Sequence, residues 1–190
     1  MQAFLISTGV VAIGEIGDKT QLLALMLAAR FRKPWPIIAG IVVATLLNHA
    51  LAGLVGQLVR TLLTPEVLRW VLGGAFLAVA IWALFPDKLD EKDASTHSRW
   101  GVFFVTASTF FLAEIGDKTQ VATMMLAARF PDLFAVVAGT TLGMLLADVP
   151  AVFIGHLAAP KISMRVVRVV AASLFAALGV AALMGFGLPG

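Results

Sequence analysis

The sequence predicts an all-α membrane protein of six transmembrane helices, arranged as two three-helix repeats of inverted topology. Three observations predict this. Of the 190 residues, 60% are apolar and 13% charged, against roughly 45–50% and about 25% in an ordinary soluble domain. The apolar residues gather into six stretches, each long enough for the roughly 20-residue helix that crosses a bilayer. A seven-residue polar block occurs twice, 99 positions apart.

The scarcity of charge excludes a soluble enzyme, which needs charged surface, and equally a disordered chain. The basic balance, 14 Lys and Arg against 11 Asp and Glu, is too sparse for a phosphate-binding face, so no nucleic-acid partner is expected. With no cysteine, disulfides, thiolate metal sites and a Cys nucleophile are impossible.

The first span runs from about Ala3 to Ala29. Its start, Met1-Gln2-Ala3-Phe4, has no basic n-region and reads as the beginning of a span rather than a removable signal. The second span runs from about Trp35 to Val59 and the third from about Val67 to Phe85. A polar connector at 87–99 then divides a first repeat, 1–86, from a second, 100–190. The fourth span runs from about Trp100 to Ala128, the fifth from about Leu133 to Leu157, and the sixth from about Ile162 to Leu188. Helices are the simple way to satisfy backbone polar groups in lipid. Trp35, Trp70 and Trp100 fall at span ends, where indole rings favour the interface.

Loop charges set the orientation. The loops after spans one, three and five hold nine Lys and Arg (Arg30, Arg32, Lys33, Lys88, Lys92, Arg99, Lys161, Arg165 and Arg168). Those after spans two and four hold three: Arg60, Arg69 and Arg129. The basic loops belong in the cytoplasm, so both termini are expected outside.

The repeated block is Glu15-Ile16-Gly17-Asp18-Lys19-Thr20-Gln21 and Glu114-Ile115-Gly116-Asp117-Lys118-Thr119-Gln120. Extended to Phe31 and Phe130, 13 of 17 positions are identical. The same offset aligns Ala39-Gly40 with Ala138-Gly139 and Gly56 with Gly155. Three spans per half is an odd number, so the halves would lie inverted about a two-fold axis in the membrane plane. This is a recurring plan of secondary transporters, with the site at the repeat interface.

Charged groups in mid-span are expensive and imply function by default. On a continuous helix, Glu15, Asp18 and Gln21 would form one oxygen-bearing stripe, and Glu114, Asp117 and Gln120 its twin. Thr20 and Thr119 add hydroxyls. Gly17 and Gly116 permit close helix approach or a local break. Such oxygen donors select hard divalent cations. Four carboxylates and two lysines leave −2 if all are ionised, which one divalent cation would neutralise. A buried carboxylate can hold either a metal or a proton, and that competition makes a cation/H⁺ antiporter.

Lys19 and Lys118 have two readings. Each can pair with the glutamate four residues earlier, or occupy or gate the site when metal is absent. Asn48 in span two and Asp148 in span five are further polar candidates, and Asp148 aligns with His49 at the repeat offset. Asp148 is read as a proton carrier or a supporting partner. Pro150 beside it frees the Leu146 carbonyl. His49 and His156 are read as packing or interface residues.

Two copies of E-φ-G-D-(K/R)-(T/S), each in the first span of a half, resemble the Gdt family of membrane proteins. The resemblance covers essentially the whole chain. It implies transport of Mn²⁺ and Ca²⁺, exchanged for H⁺, and kinship with the cation/Ca²⁺ exchanger superfamily. Carried over position by position, the acidic residues are Glu15, Asp18, Glu114 and Asp117, with Lys19, Thr20, Lys118 and Thr119 completing the motifs. The short central loop fits a prokaryotic plasma-membrane member. The expectation is therefore a non-enzymatic exporter of divalent cation, Mn²⁺ first and Ca²⁺ second, with no resident cofactor. The rivals are an exporter of small organic solutes such as amino acids, an intramembrane hydrolase, and a non-transporting membrane subunit. An anionic solute would want helix N-termini and net positive charge rather than paired acidic stripes. Hydrolysis would rarely need both copies of the motif.

Overall fold

The computed structural model describes residues 1–85, 101–154 and 164–185. The connector at 87–99, Trp100, His156, Lys161 and the outer ends of the last two predicted spans lie outside the described residues. Among those described there are eight helices and no strand. They are α1 (Gln2–Glu15), α2 (Lys19–Phe31), α3 (Pro34–Leu62), α4 (Pro65–Ala83), α5 (Val102–Glu114), α6 (Lys118–Arg129), α7 (Leu133–Ile154) and α8 (Met164–Leu183).

Helices α3, α4 and α7 are long and apolar enough to cross a membrane. Pro34 and Pro65 start α3 and α4 in the first turn, where a missing N–H costs nothing. Thr64 caps α4 by accepting from the Val67 N–H. Pro150 sits inside α7. On α3, Leu47, Leu51, Leu54 and Leu58 are all more than half exposed. Their spacing of four, three and four puts them on one face, an outward apolar stripe that suits lipid tails.

The largest departure from the sequence reading is at the two motifs. The first and fourth predicted spans are not continuous helices. Each breaks after its glutamate and restarts after its aspartate, giving α1 then α2, and α5 then α6. At 14 residues, α1 rises only about 21 Å, short of the roughly 30 Å hydrocarbon core.

The packing partners are exchanged between the halves. Helix α1 lies along α7, with α2 also against α7, while α3 lies along both α5 and α6. Helices α4 and α8 pack on one another. Glycines set the closest approaches, and they follow the repeat offset. Gly40 of α3 faces Phe103 and Thr106 of α5; Gly139 of α7 faces Phe4 and Ser7 of α1. A Cβ on Gly139 would stand 2.5 Å from the Phe4 carbonyl oxygen and 3.0 Å from Ser7 Cβ. Neither neighbour is the free end of a flexible chain. Gly139→Leu is therefore expected to destabilise the protein by about 1–3 kcal/mol, the usual cost of overpacking. Thermal unfolding in detergent measures this, with Gly74→Leu as the control because nothing lies within 4 Å of a Cβ there. Equal melting temperatures for the two variants would remove the close-approach role of Gly139.

Phe76, Phe110 and Phe175 are fully enclosed. Phe76 and Phe175 belong to an apolar cluster linking α4, α6 and α8, and Phe110 to a second linking α2, α3 and α5.

Candidate functional site

Each motif is a tight turn joining two helices. The Asp18 N–H donates to the Glu15 carbonyl at 3.0 Å, and Asp117 N–H to that of Glu114 at 3.1 Å. Ile16 has φ −59° and ψ 117° and Gly17 has φ 79°. Ile115 has φ −62° and ψ 120° and Gly116 has φ 76°. These are the angles of a type II turn, whose third residue needs φ > 0 and hence glycine. The aspartate that closes each turn is the N-cap of the next helix. Asp18 accepts from the Lys19 N–H at 2.7 Å, and Asp117 from the Thr119 N–H at 3.5 Å.

The glutamines complete the turns. Gln21 Oε1 accepts from the Gly17 N–H at 2.8 Å, and Gln120 Oε1 from the Gly116 N–H at 2.7 Å. Each Nε2 then reaches across to the opposite half. Gln21 donates to the Ala147 carbonyl at 3.1 Å; Gln120 donates to Asn48 Oδ1, whose own Nδ2 donates to the Phe111 carbonyl at 3.0 Å. Ala147 and Asn48 are themselves 99 residues apart, so the same tie is made twice with different acceptors. The glutamine oxygens are thus turned to the helix breaks. The single helical stripe of Glu15, Asp18 and Gln21, and its twin, is corrected: the break removes the i, i+3 relation and brings the carboxylates together differently.

Glu15 and Glu114 are fully buried, Asp117 is 1% exposed and Asp18 5%. Glu15, Glu114 and Asp117 each offer a carboxylate oxygen, and these three oxygens lie within 4.8 Å of one another. Oxygens on opposite sides of a Ca²⁺ ion are about 4.6–5.2 Å apart, so the group is already at the scale of one hard cation. Asp18 stands outside this tight group.

The hydroxyls orient the glutamates. Thr20 donates to Glu15 Oε1, and Thr119 Oγ1 lies 3.2 Å from both Glu114 Oε2 and Asp117 Oδ2. The other oxygens, Glu15 Oε2 and Glu114 Oε1, are buried without a hydrogen-bond donor. An acceptor left this way suits a cation. Lys19 pairs with the other half, not with Glu15 as helical spacing suggested: its Nζ is 3.1 Å from Asp117 Oδ1. Lys118 is 6% exposed.

Asp148 is fully buried in α7 with neither carboxylate oxygen hydrogen-bonded, and His49 in α3 is fully buried with neither ring nitrogen bonded. Thr123, which the sequence reading passed over, is fully buried and donates to the Thr119 carbonyl at 2.8 Å. Its position one helical turn after Thr119 is the signal that would have found it.

The sequence profile of a family described as "Divalent cation/proton antiporter GDT1" matches residues 3–91 and 102–186. The chain belongs to the GDT1 family. That family consists of membrane antiporters, so the chain is a transporter rather than an enzyme. A Vibrio cholerae protein named "Putative manganese exporter" is 52% identical over 183 residues, covering 95% of this chain and 90% of that protein. GDT1-like protein sll0615 of Synechocystis is 28% identical, covering 92% and 93%. GDT1-like protein 4 of Arabidopsis thaliana is 26% identical, covering 95% and 94%. No solved structure matches the chain.

Proposed function

We propose that the chain exports divalent cations from the cytoplasm in exchange for protons, Mn²⁺ first and Ca²⁺ second, through a midplane site of Glu15, Asp18, Glu114 and Asp117. The observation that carries this reading is the meeting of three buried carboxylate oxygens, from both halves of the chain, within 4.8 Å. The name of the Vibrio cholerae relative, a manganese exporter, supports Mn²⁺ as the first substrate.

The broken helices support a transport site. Non-helical backbone at membrane depth is tolerated where it lies inside the protein or lines a cavity, and discontinuous helices build the substrate sites of many secondary transporters. In this reading, α1 with α2 forms the first span and α5 with α6 the fourth, while α3, α4, α7 and α8 are the others. The exchanged packing of α1 on α7 and α3 on α5 supports two inverted repeats, 1–86 and 100–190. In this reading both termini face outward from a prokaryotic plasma membrane, the orientation that the bias of loop charges favours.

The exchange follows from the chemistry of the carboxylates. With metal bound they are ionised and share its charge. With metal gone, leaving like charges this close together in low dielectric is costly, and protons take the metal's place. Access alternates between the two sides as the halves rock about the site. Asp148, fully buried on α7 where that helix packs on α1 and α2, acts as a supporting acid or as a carrier of the proton. Thr20, Thr119, Gln21, Gln120 and Asn48 hold the turns and carboxylates in place.

Flux in proteoliposomes tests the reading, with Mn²⁺, Ca²⁺ and Mg²⁺ compared with and without a pH gradient. Mn²⁺ flux is expected to rise severalfold when protons can move the opposite way, with Ca²⁺ next. Mg²⁺ is expected to lag because it sheds its water reluctantly. Metal flux indifferent to the gradient would remove proton coupling, and absence of divalent flux would remove the function.

A further inference from the structure

We infer that the Lys19 ammonium is a tethered counter-ion that stands on Asp117 in the metal-free protein and must leave it when a divalent cation binds. The inference rests on reading the acidic group as the metal site.

Lys19 is the first residue of α2, directly after its N-cap Asp18. The helix dipole disfavours a cation in the first turn, so local helix stability does not account for a lysine there. Intrahelical pairing does not account for it either, because the break at 16–18 removes the helix that would join it to Glu15. Its side chain instead crosses between the halves, and Nζ reaches Asp117 Oδ1 at 3.1 Å.

Asp117 is one of the three carboxylates that meet within 4.8 Å. A cation therefore already neutralises one edge of the group, while Glu15 Oε2 and Glu114 Oε1 remain without donors. An ammonium at hydrogen-bond distance from Asp117 and a divalent ion on the same carboxylate would repel each other at short range. Asp117 is 1% exposed but the Lys19 side chain is 21% exposed. The lysine end of the pair thus has a way out, on a four-carbon stem that can swing.

A tethered cation of this kind lowers the affinity for metal and eases its release, since the ammonium returns as the metal departs. It also ties the two halves together in the metal-free state, across the interface at which they would move.

The test measures Mn²⁺ binding by calorimetry on the purified full chain in detergent, alongside Mn²⁺ flux in proteoliposomes. Lys19→Gln is expected to tighten binding by about 10-fold, within the usual range of coupling between two ligands, while lowering the maximal flux. Lys19→Arg keeps the charge and is expected to stay near the wild-type affinity. A purely structural lysine would give weaker binding, or none, in Lys19→Gln. The wild-type protein supplies a second measurement that needs no variant. Amine-reactive labelling of Lys19, read by mass spectrometry, is expected to rise severalfold when Mn²⁺ saturates the site. Lys19→Gln binding equal to or weaker than wild type, or labelling that is unchanged or falls with Mn²⁺, would overturn the inference. Wild-type protein that binds no Mn²⁺ would instead overturn the metal-site reading on which it rests.

Discussion

Glu15→Gln and Glu114→Gln are each expected to abolish metal transport while leaving the protein folded. Loss of an outer partner of a metal ligand already costs about 10–100-fold, so loss of a ligand charge should lower Mn²⁺ flux by at least about 100-fold. The amide keeps the shape of the carboxylate and can still accept from Thr20 or Thr119. It also removes one of three carboxyl groups crowded together in a buried site with oxygens that lack donors. Thermal stability in detergent is therefore expected to hold or rise as flux falls, the pattern of a site whose function is at odds with stability. A parallel loss of melting temperature and flux would mark the glutamates as structural. The geometry also grades the aspartates. Asp117 belongs to the tight group and Asp18 does not, so Asp117→Asn should impair Mn²⁺ binding more than Asp18→Asn does. Equal effects would place Asp18 on the metal as directly as Asp117.

Replacing Gly116 is expected to be nearly as damaging, by a different route. A Cβ there would meet nothing within 4 Å, but the backbone sits at φ +76°. The cost is therefore conformational rather than steric, about 1–2 kcal/mol for an ordinary L residue in the left-handed region. A β-branched residue is a true outlier there, while asparagine tolerates it best. Flux should fall in the order glycine, Asn, Ala, Val. The turn sets the offset between Glu114 and Asp117, so even a modest shift separates oxygens that now converge. Gly116→Ala behaving better than the larger Gly116→Asn would show that size, not backbone conformation, governs the position. The same order is expected at Gly17, where φ is 79°.

Much of this could be read before any coordinates. The membrane class followed from 60% apolar and 13% charged residues, because no soluble fold tolerates that balance. The doubled motif followed from identity at a fixed offset, and its resemblance to the Gdt family led to the family that the sequence profile also identifies. The turn was legible in principle. Glycine before an aspartate, followed three residues on by glutamine, carries the marks of a type II turn and an N-cap. The apolar run on either side concealed it, because hydropathy cannot distinguish one long helix from two short ones end to end.

The partner of Lys19 was not legible. Sequence spacing ranks near neighbours, so it favoured Glu15 at four residues over Asp117 at ninety-eight. Only the packing of the two halves brings that distant carboxylate to 3.1 Å.

What the sequence determined by itself was chemistry and repetition: which side chains are charged among apolar neighbours, and that they come in two copies. These are properties of residue type and order. What only the tertiary structure decided was convergence. The breaks at 16–18 and 115–117 end the helical register, the exchanged packing of α1 on α7 and α3 on α5 aligns the two turns, and Glu15 meets Glu114 and Asp117 of the other half. The physical reason is that a cation is held by distances between oxygens. Where those oxygens come from different helices, the distances are set by close approaches at glycines such as Gly40 and Gly139, contacts that no spacing along the chain records.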